Sequence, residues 1–551
     1  MTETWEAAYD VIVVGSGAAG LTAAATAATA GLRVLVVEKS KYWGGTTAFS
    51  GGGVWIPSNP VMTAAGDADS PDAASAYLDD VIGDAGPEST PARRKAFLEA
   101  GPEMVDFLSR HGFQWTRAED YPDYYPERPG GRVGRSIEGQ VIDGRELGPL
   151  LDTLRRAPGA TPLPVQTRDL DKLNLALRTP RGFARGAVVV TRIAAGRLSR
   201  RVPLAAGLSL VAQLAIIGRA HAMDLWLHRP LNDLVVEDGR VVGVVVADGE
   251  RQVRVLATRG IVLAAGGFAR NSAYRRRHQP VGDDWTAASR GDDGDAIRLG
   301  AEIGAATSLM DEAWWSPTFI FPEGARSLSV WERSMPGAII VDQTAERFVN
   351  ESASYLDVGR ALLERDRSVP AVPSWLILDS RHRRRYLLGT LPPAYTPKRL
   401  IQSGFLIRAN SLLDLAVQTG LDGRALRQTV ERFNRFAATG VDEDFGRGES
   451  IYDRYYGDPR VRPNPNLGSL DRPPFYAVRL FPGDLGTKGG LVTDESGRVL
   501  RPDGSAIGGL YAAGNTTASV MGRTYPGPGG TIGPAMVFAY LAAQDLARTT
   551  E

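Results

Sequence analysis

The chain has 551 residues, of which 43% are hydrophobic, and this length and composition predict a large core and more than one domain. Its 63 Lys and Arg residues balance its 63 Asp and Glu residues, so the net charge does not indicate nucleic-acid binding. The sequence contains no cysteine. This excludes disulfides, thiolate metal sites and cysteine nucleophiles, so any redox chemistry must come from a cofactor. The polar, acidic N-terminus shows no secretory signal and predicts a cytoplasmic protein.

A dinucleotide-binding pattern opens the chain. An apolar run, Val11–Val14, leads into the glycine-rich stretch Gly15–Gly20, and an Ala-rich segment and a second apolar run then end at Glu38. This order predicts a strand, a glycine turn, a helix and a second strand, with the phosphates of a dinucleotide at the helix N-terminus. Glu38 is placed to accept hydrogen bonds from a ribose 2′-OH.

Glycine and hydroxyl residues follow Glu38 and predict a backbone that wraps around the ligand. Two later strands also end in glycine, at Gly266 and Gly514, which suggests a large cofactor contacted from several parts of the chain. Because the chain has a single fingerprint, one bound FAD is favoured over an exchangeable nicotinamide dinucleotide. No metal site is predicted. The predicted cofactor-binding residues are Gly15, Ser16, Gly17, Ala18, Ala19, Gly20, Glu38, Lys39, Gly44, Gly45, Thr46, Thr47, Ser50, Gly51, Gly52, Ala265, Gly266, Gly514 and Asn515.

A basic segment lies between Lys172 and Leu231, where Asp224 is the only acid. It contains a mainly apolar run, Val202–Ile217, that is shorter than the roughly 20 residues a membrane span needs. The run could form a buried core helix whose flanking arginines reach solvent. The one-sided charge instead favours a patch, at about residues 180–220, that lies on an anionic membrane surface.

The remaining elements predict an α/β fold, with a Rossmann-like, glutathione-reductase-type FAD-binding domain into which an α+β catalytic domain is inserted. A hairpin with an Asp-Gly turn is predicted over Leu234–Val246, and a buried strand over Ile261–Ala265. Residues 316–486 differ from the preceding part of the chain in composition and predicted elements, with mixed helices and many Pro and Arg residues. We therefore predict an FAD-binding domain over 1–315, a catalytic domain over 316–486 and a return to the FAD-binding domain over 487–551.

The stretch from Ser519 to Met536 is the second informative motif. Its glycines and prolines predict a fixed loop before a helix, where backbone N–H groups and the Tyr525 hydroxyl could form an oxyanion hole for a carbonyl that becomes an enolate. The spacing alone equally suits a tight turn on which Tyr525 packs.

The chain resembles the 3-ketosteroid Δ1-dehydrogenases, within the flavoprotein family that also contains the soluble fumarate reductases. The resemblance covers nearly the whole chain, except for an apparent insertion around residues 145–225. Its most specific part is Tyr525-Pro-Gly-Pro-Gly529. The other motifs that carry it are Gly15–Gly17, Glu38–Lys39, Gly44–Thr46, Pro122–Tyr125, Ala264–Gly267, Arg347–Ser352 with Tyr355, Asp484–Gly490 and Tyr511–Asn515.

The resemblance implies that hydrogen is removed from C1 and C2 of a 3-ketosteroid, with four residues in catalytic roles. Tyr525 and the Gly529 N–H would bind the C3 carbonyl oxygen, and Tyr355 would remove the C2 proton. Tyr124 would hydrogen-bond Tyr355 and stabilise its phenolate, which a tyrosine base requires because the pKa of a phenol is about 10. The C1 hydride would go to flavin N5, and the electrons to a quinone-like acceptor.

Three other functions remain open at this point. A fumarate-reductase-like enzyme would need arginine and histidine side chains that grip two carboxylates, whereas a tyrosine beside a Gly-Pro loop suits a neutral ketone better. A steroid Δ4-(5α)-dehydrogenase would use a tyrosine and a loop in the same way. A non-catalytic flavin-fold carrier for a lipidic partner would also suit the basic and apolar segment.

Overall fold

The computed structural model describes residues 4–67, 69–156 and 164–549. Its strands, in chain order, are β1 Ala7–Val14, β2 Val34–Val37, β3 Val54–Trp55, β4 Trp115–Arg117, β5 Ser136–Gly139, β6 Ile142–Asp143, β7 Pro203–Leu204, β8 Asp224–Trp226, β9 Leu231–Glu237, β10 Arg240–Asp248, β11 Arg251–Leu263, β12 Thr307–Ser308, β13 Ala313–Ile320, β14 Arg326–Leu328, β15 Ala338–Val341, β16 Ser374–Asp379, β17 Leu406–Ala409, β18 Phe475–Thr487, β19 Gly490–Leu491, β20 Arg498–Leu500 and β21 Ala506–Ala512.

Helices alternate with groups of strands along the chain. In chain order they are α1 Ala18–Thr29, α2 Pro60–Ala64, α3 Pro71–Ile82, α4 Pro91–Arg110, α5 Thr167–Asn174, α6 Pro180–Leu198, α7 Ala206–Ala220, α8 Ser272–His278, α9 Asp295–Glu302, α10 Tyr355–Asp366, α11 Ser380–Arg385, α12 Lys398–Gln402, α13 Leu412–Thr419, α14 Gly423–Thr439, α15 Ile451–Tyr455 and α16 Ile532–Arg548.

The sheet that carries the glycine motif has the order β20-β21-β10-β11-β1-β2-β8, with β9 paired to β10. Its central strands run parallel: β1 pairs with β2 and with β11, and β11 pairs with β21. The valines and isoleucines of these strands are buried, as expected for a parallel sheet covered on both faces. Residues from both ends of the chain therefore build one sheet, and β9 and β10 form the predicted Asp-Gly hairpin.

A second sheet, of order β14-β13-β18-β16-β15 with β17 paired to β18, is built from residues 313–487. The predicted helices of this region are present as α13 and α14, and both end at a glycine in the left-handed conformation, Gly420 and Gly440. We propose that the domain boundaries lie where the sequence suggests, close to residues 315 and 487.

The apolar run Val202–Ile217 is a core element. Most of it forms α7, where Leu210, Val211 and Leu214 are fully buried, and α7 packs against α1. The arginine that follows it is bound locally, because Arg219 donates to the Leu147 carbonyl oxygen at 2.7 Å. The interpretation of this run as a membrane-facing patch is therefore wrong, since a helix closed in by the core cannot insert into a lipid leaflet.

The neighbouring helix α6 has an exposed apolar face. Phe183, Val190 and Leu198 are 69%, 64% and 91% exposed and recur along one side of the helix. On the other side, Arg185 and Arg192 form ion pairs with Asp169 of α5, at 2.5 and 3.2 Å. Among the described residues, none of the helices has the length and apolarity that crossing a bilayer requires.

Candidate active site

Four parallel strands end together beneath the predicted cofactor site. Val14 lies in register with Val37 and Leu263, and Leu263 lies in register with Ala512. The residues that follow these strands, namely Gly15, Glu38, Ala264 to Gly266 and Gly514, therefore meet at the carboxyl edge of the sheet. This edge is where open α/β sheets bind their ligands.

The glycine turn leaves no room for side chains. Gly15 has φ +103°, and a Cβ there would lie 2.4 Å from the Ala264 carbonyl oxygen. A Cβ on Gly20 would lie 1.9 Å from the Gly15 carbonyl oxygen. Gly17 precedes α1 and provides no side-chain cap. The Thr47 hydroxyl accepts the Ala18 N–H, so the N–H groups of Ala19 and Gly20 remain available to the phosphates of a dinucleotide.

Glu38 is held in place at the end of β2. Its carboxylate accepts the Ser16 hydroxyl at 2.6 Å and the Ser40 N–H at 3.0 Å, and the Ser16 hydroxyl in turn accepts the Gly44 N–H at 3.0 Å. The Lys39 ammonium points elsewhere, to Asp295 at 2.8 Å and to Asp293. Of this predicted pair, Glu38 faces the glycine turn, whereas Lys39 pairs its side chain with two carboxylates.

The hydroxyl-rich segment after Glu38 contacts the glycine turn and the second half of the chain. The Thr47 hydroxyl accepts the Ala18 N–H and the Thr46 hydroxyl accepts the Ser289 N–H, both at 3.0 Å. A Cβ on Gly45 would lie 3.2 Å from Gly17 Cα, and one on Gly514 would lie 3.1 Å from Ala19 Cβ. The Ser50 hydroxyl fixes the bend at Gly51 and Gly52, donating to the Thr47 carbonyl and accepting the Gly52 N–H.

Taken together, the glycine turn, the segment after Glu38 and the ends of the parallel strands form one cradle. Its turn admits only glycine, N–H groups at its helix N-terminus are free, and a buried carboxylate lies beside the turn. These features fit FAD. The side-chain oxygen of Asn515 accepts the Trp314 indole N–H at 3.2 Å.

Tyr124, Tyr355 and Tyr525 form a buried cluster. Their ring centroids are 5.4 Å apart for Tyr124 and Tyr355, 5.1 Å for Tyr124 and Tyr525, and 5.3 Å for Tyr355 and Tyr525. All three pairs meet edge to face, and each tyrosine is less than a tenth exposed. The structure thus brings together three tyrosines that lie far apart in the sequence.

The environment of Tyr355 acts in two opposing ways. Burial raises the pKa of Tyr355 well above its ordinary value, and neighbouring Tyr525 adds to that rise, whereas a hydrogen bond with Tyr124 lowers it. Tyr355 is also the first residue of α10, at the positive end of the helix dipole, which favours a negative charge.

Tyr525 receives several hydrogen bonds. Burial raises the pKa of Tyr525, and hydrogen bonds with Thr531, Tyr355 and the Gly529 N–H oppose that rise. The Thr531 hydroxyl donates to the Tyr525 oxygen at 3.0 Å. Because the oxygen accepts these bonds, the Tyr525 O–H remains available as a donor, while the Gly529 N–H faces the Tyr525 oxygen.

The loop from Tyr525 to Gly529 is fixed by distant parts of the chain. The Pro526 carbonyl accepts the Tyr124 N–H at 2.9 Å and the Tyr77 hydroxyl at 2.5 Å, and the Pro528 carbonyl accepts the Ser136 hydroxyl at 2.7 Å. Gly529 has φ +100°, and a Cβ there would lie 2.5 Å from the backbone of Gly53. The loop therefore rests on the FAD cradle, with which it shares the segment around Gly53.

Sequence reasoning missed several residues of this cluster. Trp314 packs on Tyr525 with 4.7 Å between ring centroids, and Tyr452 packs on Tyr124 at 4.9 Å. Thr531 lies within the predicted C-terminal loop, six residues after Tyr525, and its hydroxyl was the available signal. No local signal marks Tyr77, Trp314 or Tyr452, because their contacts come from the tertiary packing alone.

Comparison with known proteins identifies the wider family. Residues 10–532 match the family model described as an FAD binding domain. A 3-oxosteroid 1-dehydrogenase of Mycolicibacterium smegmatis is 45% identical, over 98% of this chain and 97% of its own length. A 4-oxocyclohex-2-ene-1-carboxylate 5-dehydrogenase of Sinomonas cyclohexanicum is 36% identical, over 98% of this chain and 94% of its own length.

A solved structure has a very similar fold. The 3-ketosteroid delta1-dehydrogenase from Sterolibacterium denitrificans, in complex with 1,4-androstadiene-3,17-dione, has a TM-score of 0.93 and 39% identity, and the match covers 98% of this chain and 99% of that chain. The predicted fold class and FAD are confirmed, and the chain belongs to the family of FAD-dependent 3-ketosteroid Δ1-dehydrogenases.

Proposed function

We propose that the protein catalyses the 1,2-dehydrogenation of 3-ketosteroids, converting a 3-oxo-Δ4-steroid to the 3-oxo-Δ1,4-steroid. The observation that carries this proposal is the buried cluster of Tyr124, Tyr355 and Tyr525, in which a phenol and the backbone N–H of Gly529 act side by side. Such a pair of donors suits the oxygen of a neutral ketone.

The first chemical demand is to stabilise the enolate. The Tyr525 O–H donates to the C3 carbonyl oxygen, whose negative charge grows as the C2 proton leaves, and the Gly529 N–H exchanges the Tyr525 oxygen for the same carbonyl oxygen. Thr531 and the contacts of Pro526 and Pro528 fix the loop that carries both donors before the reaction, which limits the reorganisation. Burial strengthens both bonds because water does not compete for them.

The second demand is a base. Tyr355, as the phenolate, takes the proton from C2, and the hydrogen bond with Tyr124 favours that charged form. Bound FAD supplies the acceptor for the hydride that leaves C1. Loss of a proton from C2 and of a hydride from C1 leaves the new double bond.

Single-residue variants test these roles. With androst-4-ene-3,17-dione as substrate under anaerobic conditions, the holoenzyme is expected to bleach its flavin absorbance and to form the 1,4-diene. The Tyr355→Phe and Tyr525→Phe variants should keep their FAD and lose about 10²- to 10⁴-fold in kcat, since each removes a proton-transfer or oxyanion group. Tyr540→Phe, which changes a buried tyrosine of α16 outside the cluster, is the matched control. Near-full turnover by Tyr355→Phe would refute the assigned base.

A second candidate substrate is a small ring ketone that carries a carboxylate, as in the name of the Sinomonas relative. Arg333 supports it: the charge of this buried side chain lowers the pKa of Tyr121 and of Tyr452, and its Nη2 has no hydrogen-bond partner among the described residues. An ionised carboxylate would satisfy that nitrogen. Steady-state kinetics with the steroid, 4-oxocyclohexanecarboxylate and fumarate separates the candidates, and the position of the new double bond separates a Δ1- from a Δ4-(5α)-dehydrogenase.

We also propose that the enzyme binds the surface of anionic membranes through α6 and passes its electrons to a quinone-like acceptor. The exposed apolar face of Phe183, Val190 and Leu198 supports this, together with the exposed Arg200 and Arg201 that follow the helix. Apolar side chains beside arginines suit insertion among anionic headgroups. Quinones dissolve in the same bilayer.

Vesicle flotation tests the membrane proposal. The holoenzyme should float with vesicles that contain phosphatidylglycerol, and replacement of Phe183, Val190 and Leu198 by Ser should abolish flotation without loss of turnover. Replacement of Leu413 and Val417, an exposed apolar pair on α13, is the control. If the α6 variant floats like the wild type, α6 is not the membrane contact. Stopped-flow reoxidation of the reduced enzyme by a short-chain quinone, compared with dioxygen, tests the acceptor.

A further inference from the structure

Lys488 places a buried ammonium group beside the loop that carries Tyr525. It directly follows β18, and its side chain is fully buried. Its Nζ donates to the carbonyl oxygen of Thr524 at 2.5 Å, one residue before Tyr525. The same nitrogen lies 4.2 Å from the centroid of the Trp314 ring, which packs on Tyr525. Lys488 thus contacts Thr524, which precedes Tyr525 in the chain, and Trp314, which packs on the Tyr525 ring.

The backbone of Lys488 ties the same parts together. Its N–H donates to the Glu312 carbonyl at 3.0 Å, just before β13, and its carbonyl accepts the Ser519 N–H at 3.0 Å, at the start of the C-terminal loop. Lys488 therefore links the end of β18 to the start of β13, which carries Trp314, and to the loop of Tyr525.

Among the described residues, no carboxylate forms an ion pair with Lys488. Glu312 is nearby but binds Arg360 at 2.8 Å and Arg523 at 2.9 Å. Asp357 accepts bonds from Tyr125 and Ser354 instead. These four charged groups, Glu312, Asp357, Arg360 and Arg523, are those that act on Lys488 electrostatically, and burial lowers the pKa of Lys488 well below its ordinary value.

A lysine in this position is costly for folding. Burying an ammonium group without an ionised partner is unfavourable unless its hydrogen bonds and an aromatic face offset the lost hydration. Methionine or leucine could fill the same space at lower cost. The buried amino group and its two contacts therefore point to a role in the site next to it.

We propose that Lys488 is a positioning residue that fixes the Tyr525 phenol through the Thr524 carbonyl and the Trp314 ring. The carbonyl contact sets the path of the backbone into Tyr525, and the cation over the indole holds Trp314 against the phenol. The inference rests on the proposed role of Tyr525 as a donor to the substrate carbonyl. A donor that is misplaced by a fraction of an ångström stabilises the enolate less while it binds the ketone almost as well.

Kinetics of Lys488→Met and Lys488→Arg holoenzymes provide the test, with Lys95→Met, an exposed lysine, as the control. For Lys488→Met we expect kcat to fall about ten- to hundredfold with KM within about threefold. Lys488→Arg, which keeps a cation over Trp314, should recover part of that loss. If Lys488→Met does not accumulate as holoenzyme, Lys488→Gln takes its place with the same expected loss, because it also lacks the charge.

A binding measurement gives a readout that a merely structural role would not change. A steroid whose A ring is a phenol mimics the enolate, and its absorbance reports the pKa of the bound phenol. We expect this steroid to bind Lys488→Met about tenfold more weakly than the wild type, with a raised phenol pKa, whereas androst-4-ene-3,17-dione should bind with nearly unchanged affinity.

The outcomes separate the two hypotheses. If Tyr525→Phe loses activity while the Lys488 variants keep kcat within twofold and bind the phenol like the wild type, the inference about Lys488 is overturned. If Tyr525→Phe itself turns over normally, the proposed function of Tyr525 fails first. An equal loss of affinity for the phenol and the ketone would also overturn the positioning role.

Discussion

Two glycine turns of this protein look alike and are held in different ways. The turn at Gly15 precedes α1 and the loop at Gly529 precedes α16, the two helices pack against each other, and both glycines have φ near +100°. The first turn is held by the strands that flank it. The second is held by Tyr77, Tyr124 and Ser136, from segments that lie hundreds of residues earlier.

This difference separates cofactor binding from substrate chemistry. The Gly15 turn belongs to one contiguous strand, turn and helix, and it packs on the ends of β2 and β11 in the same sheet. The Gly529 loop has its observed shape only when β3, β5 and the loop of Tyr124 are packed against it. Changes at the first site should therefore remove FAD, and changes at the second should remove turnover while FAD stays.

Gly15→Ala tests whether changes at the Gly15 turn remove FAD, and it should have the largest effect. A Cβ at Gly15 would lie 2.4 Å from the Ala264 carbonyl oxygen, so either the turn or β11 must shift out of the position that admits a pyrophosphate. We expect purified Gly15→Ala to contain almost no FAD and to show no turnover. Gly31→Ala is the matched control, because Gly31 has φ +83° but open space around it, and it should retain FAD. The flavin-to-protein absorbance ratio measures both variants.

Gly529→Ala tests whether changes at the Gly529 loop remove turnover while FAD stays bound. Its Cβ would lie 2.5 Å from the backbone of Gly53, so the N–H that we assign to the carbonyl oxygen must move. We expect about 10²- to 10³-fold lower kcat, the usual cost of losing one oxyanion donor, at normal FAD content. Gly504→Ala, at φ +83° in open space, controls for backbone strain alone. Loss of FAD together with turnover in Gly529→Ala would contradict the separation of the two sites.

Tyr124→Phe should change the pH dependence of the reaction. The hydrogen bond from Tyr124 lowers the pKa of Tyr355, so its removal raises that pKa further. At a pH below the pKa, the fraction of Tyr355 present as phenolate falls as the pKa rises. A hydrogen bond to a charged group is worth about 1.5–3 kcal/mol, so kcat should fall about ten- to hundredfold at neutral pH. Because the pKa of Tyr355 lies well above its ordinary value, the loss should stay nearly constant at pH values below that pKa and shrink only as the pH approaches it. A kcat within twofold of the wild type at neutral pH would contradict this role of Tyr124.

The same contrast explains what could be predicted from the sequence. The Gly15 turn, the Asp-Gly hairpin, α13, α14 and α16 follow from residues that are neighbours in the chain. The surroundings of Val202–Ile217 could not be predicted, because its apolar residues suit a core and a lipid surface equally and only the packing on α1 decides between them. The tyrosine cluster became visible only through the family resemblance, since Tyr124, Tyr355 and Tyr525 share no local pattern. The role of Lys488 depends entirely on tertiary contacts.

Ser16→Ala should have the smallest effect. It tests whether a change in the FAD cradle leaves the Tyr525 loop unaffected. The Ser16 hydroxyl donates to Glu38 and accepts the Gly44 N–H, so it links the turn, the end of β2 and the following loop. Its loss leaves both partners less well satisfied, at a cost of about 1–2 kcal/mol, which corresponds to about five- to thirtyfold weaker FAD binding. Titration of deflavinated protein with FAD, followed by flavin fluorescence, measures this change, with Ser75→Ala, at an exposed serine of α3, as the control. At saturating FAD, kcat should stay within about twofold of the wild type, because the Tyr525 loop does not depend on Ser16. A larger fall in kcat would show that the cradle and the loop are coupled.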